Sequence, residues 1–156
     1  MSEVISKKVR IPLDNHSEYA GESLWADLIS KDIYQIKNIP TFAYGINFND
    51  RVRVKEDDDG ILQVTEVVKR SEHKTVRVMF LDGKSGDENF SRLKGWKGEG
   101  IGSEQWNDNL YTLNVTPKRD YEDFLNLLDE HRQNGTIDYE LAGEWDGNFD
   151  GTSKGC

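Results

Sequence analysis

One short segment carries most of the side chains able to do chemistry: Arg70-Ser71-Glu72-His73-Lys74-Thr75, with Arg77 two residues further on. A hydroxyl, an imidazole and two guanidinium groups could hold an anion or pass a proton. Ser71 and His73 are two residues apart, so on an extended chain both leave the same face without meeting as a hydrogen-bonded dyad. No carboxylate is spaced to orient the imidazole, as a Ser-His-Asp triad requires. The spacing argues against nucleophilic catalysis, and no residue is assigned a catalytic role. A strand entry tied by side-chain hydrogen bonds is the plainer reading. The alternative is an enzyme or small-ligand regulatory site built from Arg70, Ser71, His73 and Arg77.

Other constellations carry less. Asp146-Gly147-Asn148-Phe149-Asp150-Gly151 matches the first six positions of a calcium loop, but the sequence ends before the bidentate Glu of position twelve. The three histidines, His16, His73 and His131, are far apart and in unlike contexts. No metal and no cofactor are expected. Trp25 and Tyr34 fall in strand patterns and are expected in a core rather than on a stacking platform. His131 is expected at the surface near a helix end.

The elements that position these residues change period midway. Val9, Ile11 and Leu13 alternate, as do Leu24, Ala26 and Leu28, then Val52 and Val54, giving strands with one buried face. A turn is expected at Ser30-Lys31-Asp32, and Pro40 marks an edge or crossover. Asp57-Asp58-Asp59-Gly60 is a hairpin signal, because Asp and Gly tolerate positive φ. Beyond Arg70, Val76, Val78 and Phe80 form a strand, followed by a short helix near 87–96 that ends at Gly95 or Gly98. Strands at 101–106 and 110–115 come next. Tyr121, Phe124, Leu125, Leu127 and Leu128 recur at helical spacing. Asn134-Gly135 ends that helix, and Ile137, Tyr139 and Leu141 make a last strand.

The expected architecture is α+β: a small curled N-terminal sheet or barrel followed by a ferredoxin-like βαββαβ half. The expected divisions are a β-rich subdomain at 1–71, a ferredoxin-like subdomain at 72–142, and a Gly- and Asp-rich flexible tail at 143–156.

At SLWADL, NIPTFAYGINFNDRVRV and VVKRSEHKTVRV the chain resembles the bacterial family of domains of unknown function numbered 4265. Trp25, Asn38, Ile39, Pro40, Phe42, Tyr44 and Gly45 stand at its motif positions, with Asp50, Val52, Ser71, His73, Thr75 and Arg77. The resemblance spans about residues 22–141. Asn49 and Glu72 stand where glycine is usual. The resemblance implies the fold and brings no established activity with it.

Composition narrows the function classes. The 156 residues carry 29 acidic against 20 basic side chains, a formal charge of -9. Such a field repels a nucleic-acid backbone and speeds association with a basic protein. Cys156 is the single cysteine, so no internal disulfide forms. The N-terminus lacks the apolar core of a signal peptide, and no apolar run approaches a membrane span. The cytoplasm is the expected compartment. The preferred expectation is a non-enzymatic, acidic, protein-binding inhibitor: an immunity protein that neutralises a cognate basic nuclease toxin, with no direct nucleic-acid or membrane contact. Its expected working surface is Glu56, Asp57, Asp58, Asp59, Asp87, Glu88, Glu99 and Glu104, carboxylates that the pattern leaves exposed on connections.

Overall fold

A computed structural model of the chain describes residues 3–13 and 21–143. His16, the Asp146–Gly151 half-loop and Cys156 lie outside the described residues.

Five strands close into a barrel: β1 (Ser6–Pro12), β2 (Gly21–Ser30), β3 (Ile33–Ile36), β4 (Arg51–Glu56) and β5 (Leu62–Lys69). Each pairs antiparallel with the next. β1 and β5 then close the ring in parallel at Val9↔Leu62 and Arg10↔Gln63. Two-residue alternation sets the wall, and Val9, Ile11, Leu24, Ala26, Tyr34, Ile36, Val52, Val54 and Val64 fill the interior. Side chains of this size contribute about 1.5–3 kcal/mol each when fully buried.

The same parity corrects one expectation. Trp25 is not in the core: it is 48% exposed, with the Lys8 ammonium 5.4 Å from its ring centroid. Leu24 and Ala26 take the inward positions, so the residue between them must face out. At the β4–β5 hairpin, Asp57 Oδ1 accepts the backbone N–H groups of Asp59 and Ile61, both at 2.9 Å. Gly60 there has φ of 80°, a conformation that costs glycine nothing.

The second half runs β6 (Lys74–Phe80), α1 (Gly86–Lys97), β7 (Ile101–Gln105), β8 (Leu110–Val115), α2 (Tyr121–Gln133) and β9 (Ile137–Glu140). Its sheet has the order β7-β8-β6-β9 with all neighbours antiparallel, the arrangement expected of a split βαβ unit. One face is apolar and carries both helices. Val76, Val78, Phe80, Tyr111, Leu113 and Val115 pack there against Leu93, Phe124 and Leu128. α1 forms despite Gly95 within it and Gly98 and Gly100 behind it, because its ends are fixed. Ser85 Oγ accepts the Glu88 N–H at 3.2 Å, and buried Asn89 donates to Asp108 O at 2.8 Å. Trp96 stacks on Phe80 at 5.6 Å.

The crossover of residues 37–50, between β3 and β4, joins the halves. Ala43 and Ile46 pack into the barrel core, while the backbone around them lies on the helix-free face of the second sheet. Pro40 sits in this crossover, clear of every ladder, where its missing N–H costs nothing. Its carbonyl accepts Thr112 Oγ1 at 2.9 Å.

Candidate functional site

The interface between the halves is polar and densely hydrogen-bonded, although Arg77 Nε is buried there without a hydrogen-bond partner among the described residues. Asn47, Asp50, Thr75, Arg77, Thr112 and Asn114 are buried there. Thr75 Oγ1 donates to Asn47 Oδ1 at 2.8 Å, and Gly45 N–H to Ala142 O at 2.9 Å. Arg77 donates to the carbonyl of Ala43 and, at 3.1 Å, to Glu140 Oε1. Its guanidinium lies 4.9 Å from the Tyr44 ring centroid, and the Tyr44 hydroxyl donates to Glu140 Oε2 at 2.6 Å. Buried polar groups held this way fix one relative placement of the elements they join.

The Arg70–His73 segment enters β6 along this seam. The buried Asp50 carboxylate accepts the Asn47 and Ser71 N–H groups, each at 2.8 Å, and Arg70 Nη1 at 3.2 Å. Burial pushes Asp50 up from the ordinary carboxylate value and Arg70 down from the guanidinium value. Desolvation therefore outweighs the mutual attraction of this pair. Ser71 Oγ donates to Phe48 O at 2.7 Å and accepts the His73 N–H at 3.2 Å. The His73 ring bonds elsewhere, with Nδ1 3.1 Å from Asn114 Oδ1 and Nε2 3.4 Å from Asn49 Nδ2. If Nδ1 carries the proton, both ring nitrogens are satisfied. Ser71 and His73 thus serve the seam and do not pair through their side chains. A cleft of about 260 Å³ opens beside them, lined by Gln35, Asn49, Arg51, Lys69, Arg70 and His73 among others. Arg77 is not part of it.

Asn49 has φ of 69°, while Glu72 is not among the positive-φ residues. At the first position asparagine replaces a usual glycine because it tolerates the left-handed region; at the second any residue fits.

A different surface lies at the far end of the same sheet face. Register places Glu104, Thr112, Arg77 and Glu140 in one cross-strand row, which the crossover covers. The next row holds Leu110, Met79 and Asp138. Trp106 lies beside it, its backbone N–H donating to Leu110 O at 2.9 Å. Nothing among the described residues covers this row: Trp106 is 49% and Met79 38% exposed. Arg77, Met79, Leu110, Asp138, Tyr139 and Glu140 line a cleft of about 180 Å³ there. The start of α1 abuts the same end, through Asn89 on Asp108, and Asp87 and Asp108 together push the Tyr111 hydroxyl upward after its burial does.

The expected acidic residues therefore separate. Asp87 and Glu88 lie at this end, in the first turn of α1, and Glu104 flanks the exposed row. Burial raises the Glu104 carboxyl, and the neighbouring Glu22 raises it further. Glu99 follows the opposite end of α1, roughly 18 Å away at 1.5 Å per residue. Glu56–Asp59 form the barrel hairpin. Asp57 is committed to that turn, with its carboxyl held down by Gln63 Nε2 and the Ile61 N–H.

Sequence reasoning missed Met79, Leu110, Trp106 and Asp138. The available signal was parity: Met79 and Leu110 are apolar on the face where their strand neighbours Arg77 and Thr112 are polar. Among the described residues no group of three or more His, Cys, Asp or Glu side chains could hold a metal ion, and no helix is long and apolar enough to cross a membrane.

A family model described as Domain of unknown function (DUF4265) matches residues 22–139. A solved structure, described as a novel crystal structure of a hypothetical protein from Neisseria gonorrhoeae, is similar with a TM-score of 0.71. Its identity is 22%, over 91% of this chain and 96% of that one. At that identity the likeness is one of fold. No curated protein matches the chain.

Proposed function

The chain belongs to the DUF4265 family, and we propose that it works as a protein-binding module that captures a basic partner. One observation carries the reading: an apolar row, Trp106-Leu110-Met79, with the carboxylates Asp138 and Glu140 lining the cleft beside Met79 and Leu110. Tryptophan in a half-exposed, braced position is the residue type that most often anchors a protein interface. Carboxylates beside it favour an oppositely charged partner, steer its approach and disfavour acidic ones. The formal charge of -9 extends that steering beyond the contact itself.

The partner class follows from the same chemistry. Enzymes that act on nucleic acids carry basic faces to meet phosphates. An acidic, apolar-anchored surface masks such a face. The specific form proposed is an immunity-type inhibitor of a basic nuclease toxin, acting in the cytoplasm without catalysis of its own.

The test is retention and inhibition by the purified protein. Wild type should retain a basic protein and suppress its nuclease activity at one-to-one stoichiometry. Trp106→Ala should weaken that complex by about 30-fold, the equivalent of a 2 kcal/mol hot spot. An acidic partner, or one held equally by Trp106→Ala, would refute the reading.

A further inference from the structure

The cleft beside His73 is basic in an acidic protein, and its cations face one another. Register places Gln35, Arg51 and Lys69 in one row across β3, β4 and β5, with Arg51 directly opposite Lys69. Like charges facing each other across a strand pair are destabilising. Neither is in an ion pair among the described residues. Arg70 adds a third guanidinium or ammonium at the cleft, fixed from behind by Asp50. Lys37 stands next to it, its Nζ donating to the neutral Asn49 Oδ1 at 2.7 Å. Against these four cations stand two carboxylates: Asp50, spent on Arg70 and two backbone N–H groups, and the exposed Glu72 on the cleft wall.

From this geometry we propose that the cleft binds a small oxyanion, a phosphate or phosphate monoester. Arg51 and Lys69 hold the charge from one side and Arg70 from the other, and the oxyanion removes the repulsion between the strand partners. Gln35 and Asn49 supply the neutral wall: Gln35 Nε2 donates to Asn49 O at 3.2 Å, which fixes both. The volume of about 260 Å³ falls below the ~300–1,000 Å³ of sites for drug-sized ligands, so the ligand is small. Guanidinium groups suit phosphate because their planar forks match its oxygens. The site is separate from the Trp106 row and does not depend on the protein-binding reading.

Three ligands at matched ionic strength decide it: inorganic phosphate, glycerol 2-phosphate and chloride. Binding is followed by amide shifts and by Tm on the full chain. Both phosphates, or one of them, should saturate shifts at Asn49, Arg51, Lys69 and His73, and raise Tm; chloride should do neither. If only glycerol 2-phosphate saturates, the ligand is an organic monoester rather than the free ion. Lys69→Gln should bind phosphate at least about tenfold more weakly. In phosphate-free buffer the same variant should melt about 1 °C higher than wild type, because the like-charge pair is gone. Equal responses to chloride and phosphate, or undiminished phosphate binding by Lys69→Gln and by Arg51→Gln, would overturn the proposal.

Discussion

Trp106 and Phe42 meet edge to face, with ring centroids 5.0 Å apart and planes at 81°. Trp106 follows β7 in the second half, and Phe42 belongs to the crossover that packs against the barrel. The contact holds a half-exposed indole in place. A braced aromatic surrenders little conformational freedom on docking, so more of its contact energy reaches the complex. The interlocking of the two halves is therefore also what presents the row proposed for docking.

Arg77 is the centre of that interlocking. Arg77→Ala should destabilise the protein by about 2–4 kcal/mol, since it strands the Ala43 carbonyl and leaves Glu140 with only the Tyr44 hydroxyl of its two partners. Arg77→Lys should recover only part of this, because an ammonium cannot reproduce the guanidinium fork. Urea unfolding midpoints of the three proteins measure it. A change in unfolding free energy below about 0.5 kcal/mol for Arg77→Ala, the range of ordinary surface substitutions, would contradict the role.

Asp50 gives a pH signature opposite to that of an ordinary surface carboxylate. Its folded pKa lies above the unfolded value because burial disfavours the anion. Its favourable contribution is thus full below the unfolded carboxylate range and is lost as pH rises through the raised folded value. Asp50→Asn removes this titration and leaves the permanent charge on Arg70. The stability of wild type relative to Asp50→Asn should therefore improve as pH falls from 7 toward 4. Parallel stability curves over that range would show that Asp50 is not desolvated as described.

Glu104 is raised in the same direction, by burial first and then by Glu22. Glu22 cannot move away, because its carboxylate accepts the N–H groups of Thr41, Phe42 and Ala43 at 2.6 to 3.0 Å. Glu104 is exposed overall, so screening limits the effect to a few tenths of a kcal/mol. Glu104→Gln should be more stable than wild type by that amount at pH 7. The advantage should fade as pH falls through the raised value to the unfolded carboxylate range, where wild type also becomes neutral. Thermal melts at pH 7 and pH 4 test the sign.

Much of the architecture was legible in the residues. Val9, Ile11, Leu24 and Ala26 announced their faces by parity, and the spacing of Phe124 and Leu128 announced α2. The apolar row was not, because Trp106, Leu110 and Met79 are brought together by register across three chain segments. The basic cleft was hidden for a sharper reason. Counting back through the hairpin from Glu56↔Leu62 pairs Arg51 with Val67, whereas two irregularities in the β4–β5 ladder shift its partner to Lys69. Bulges of this kind re-aim side chains and leave little trace in the alternation pattern. Trp25 was misread because aromatic size was allowed to override the parity of its own strand.

The proposed docking at the Trp106 row is tested most directly by site-specific photo-crosslinking in the native host. A photoreactive residue replaces Met79 in one version and the exposed barrel residue Val68 in another. Met79 should form one dominant adduct with a basic protein, suppressed by Trp106→Ala, and Val68 should form none with that partner. An adduct from Val68 equal to that from Met79, or a Met79 adduct with an acidic protein, would contradict the account.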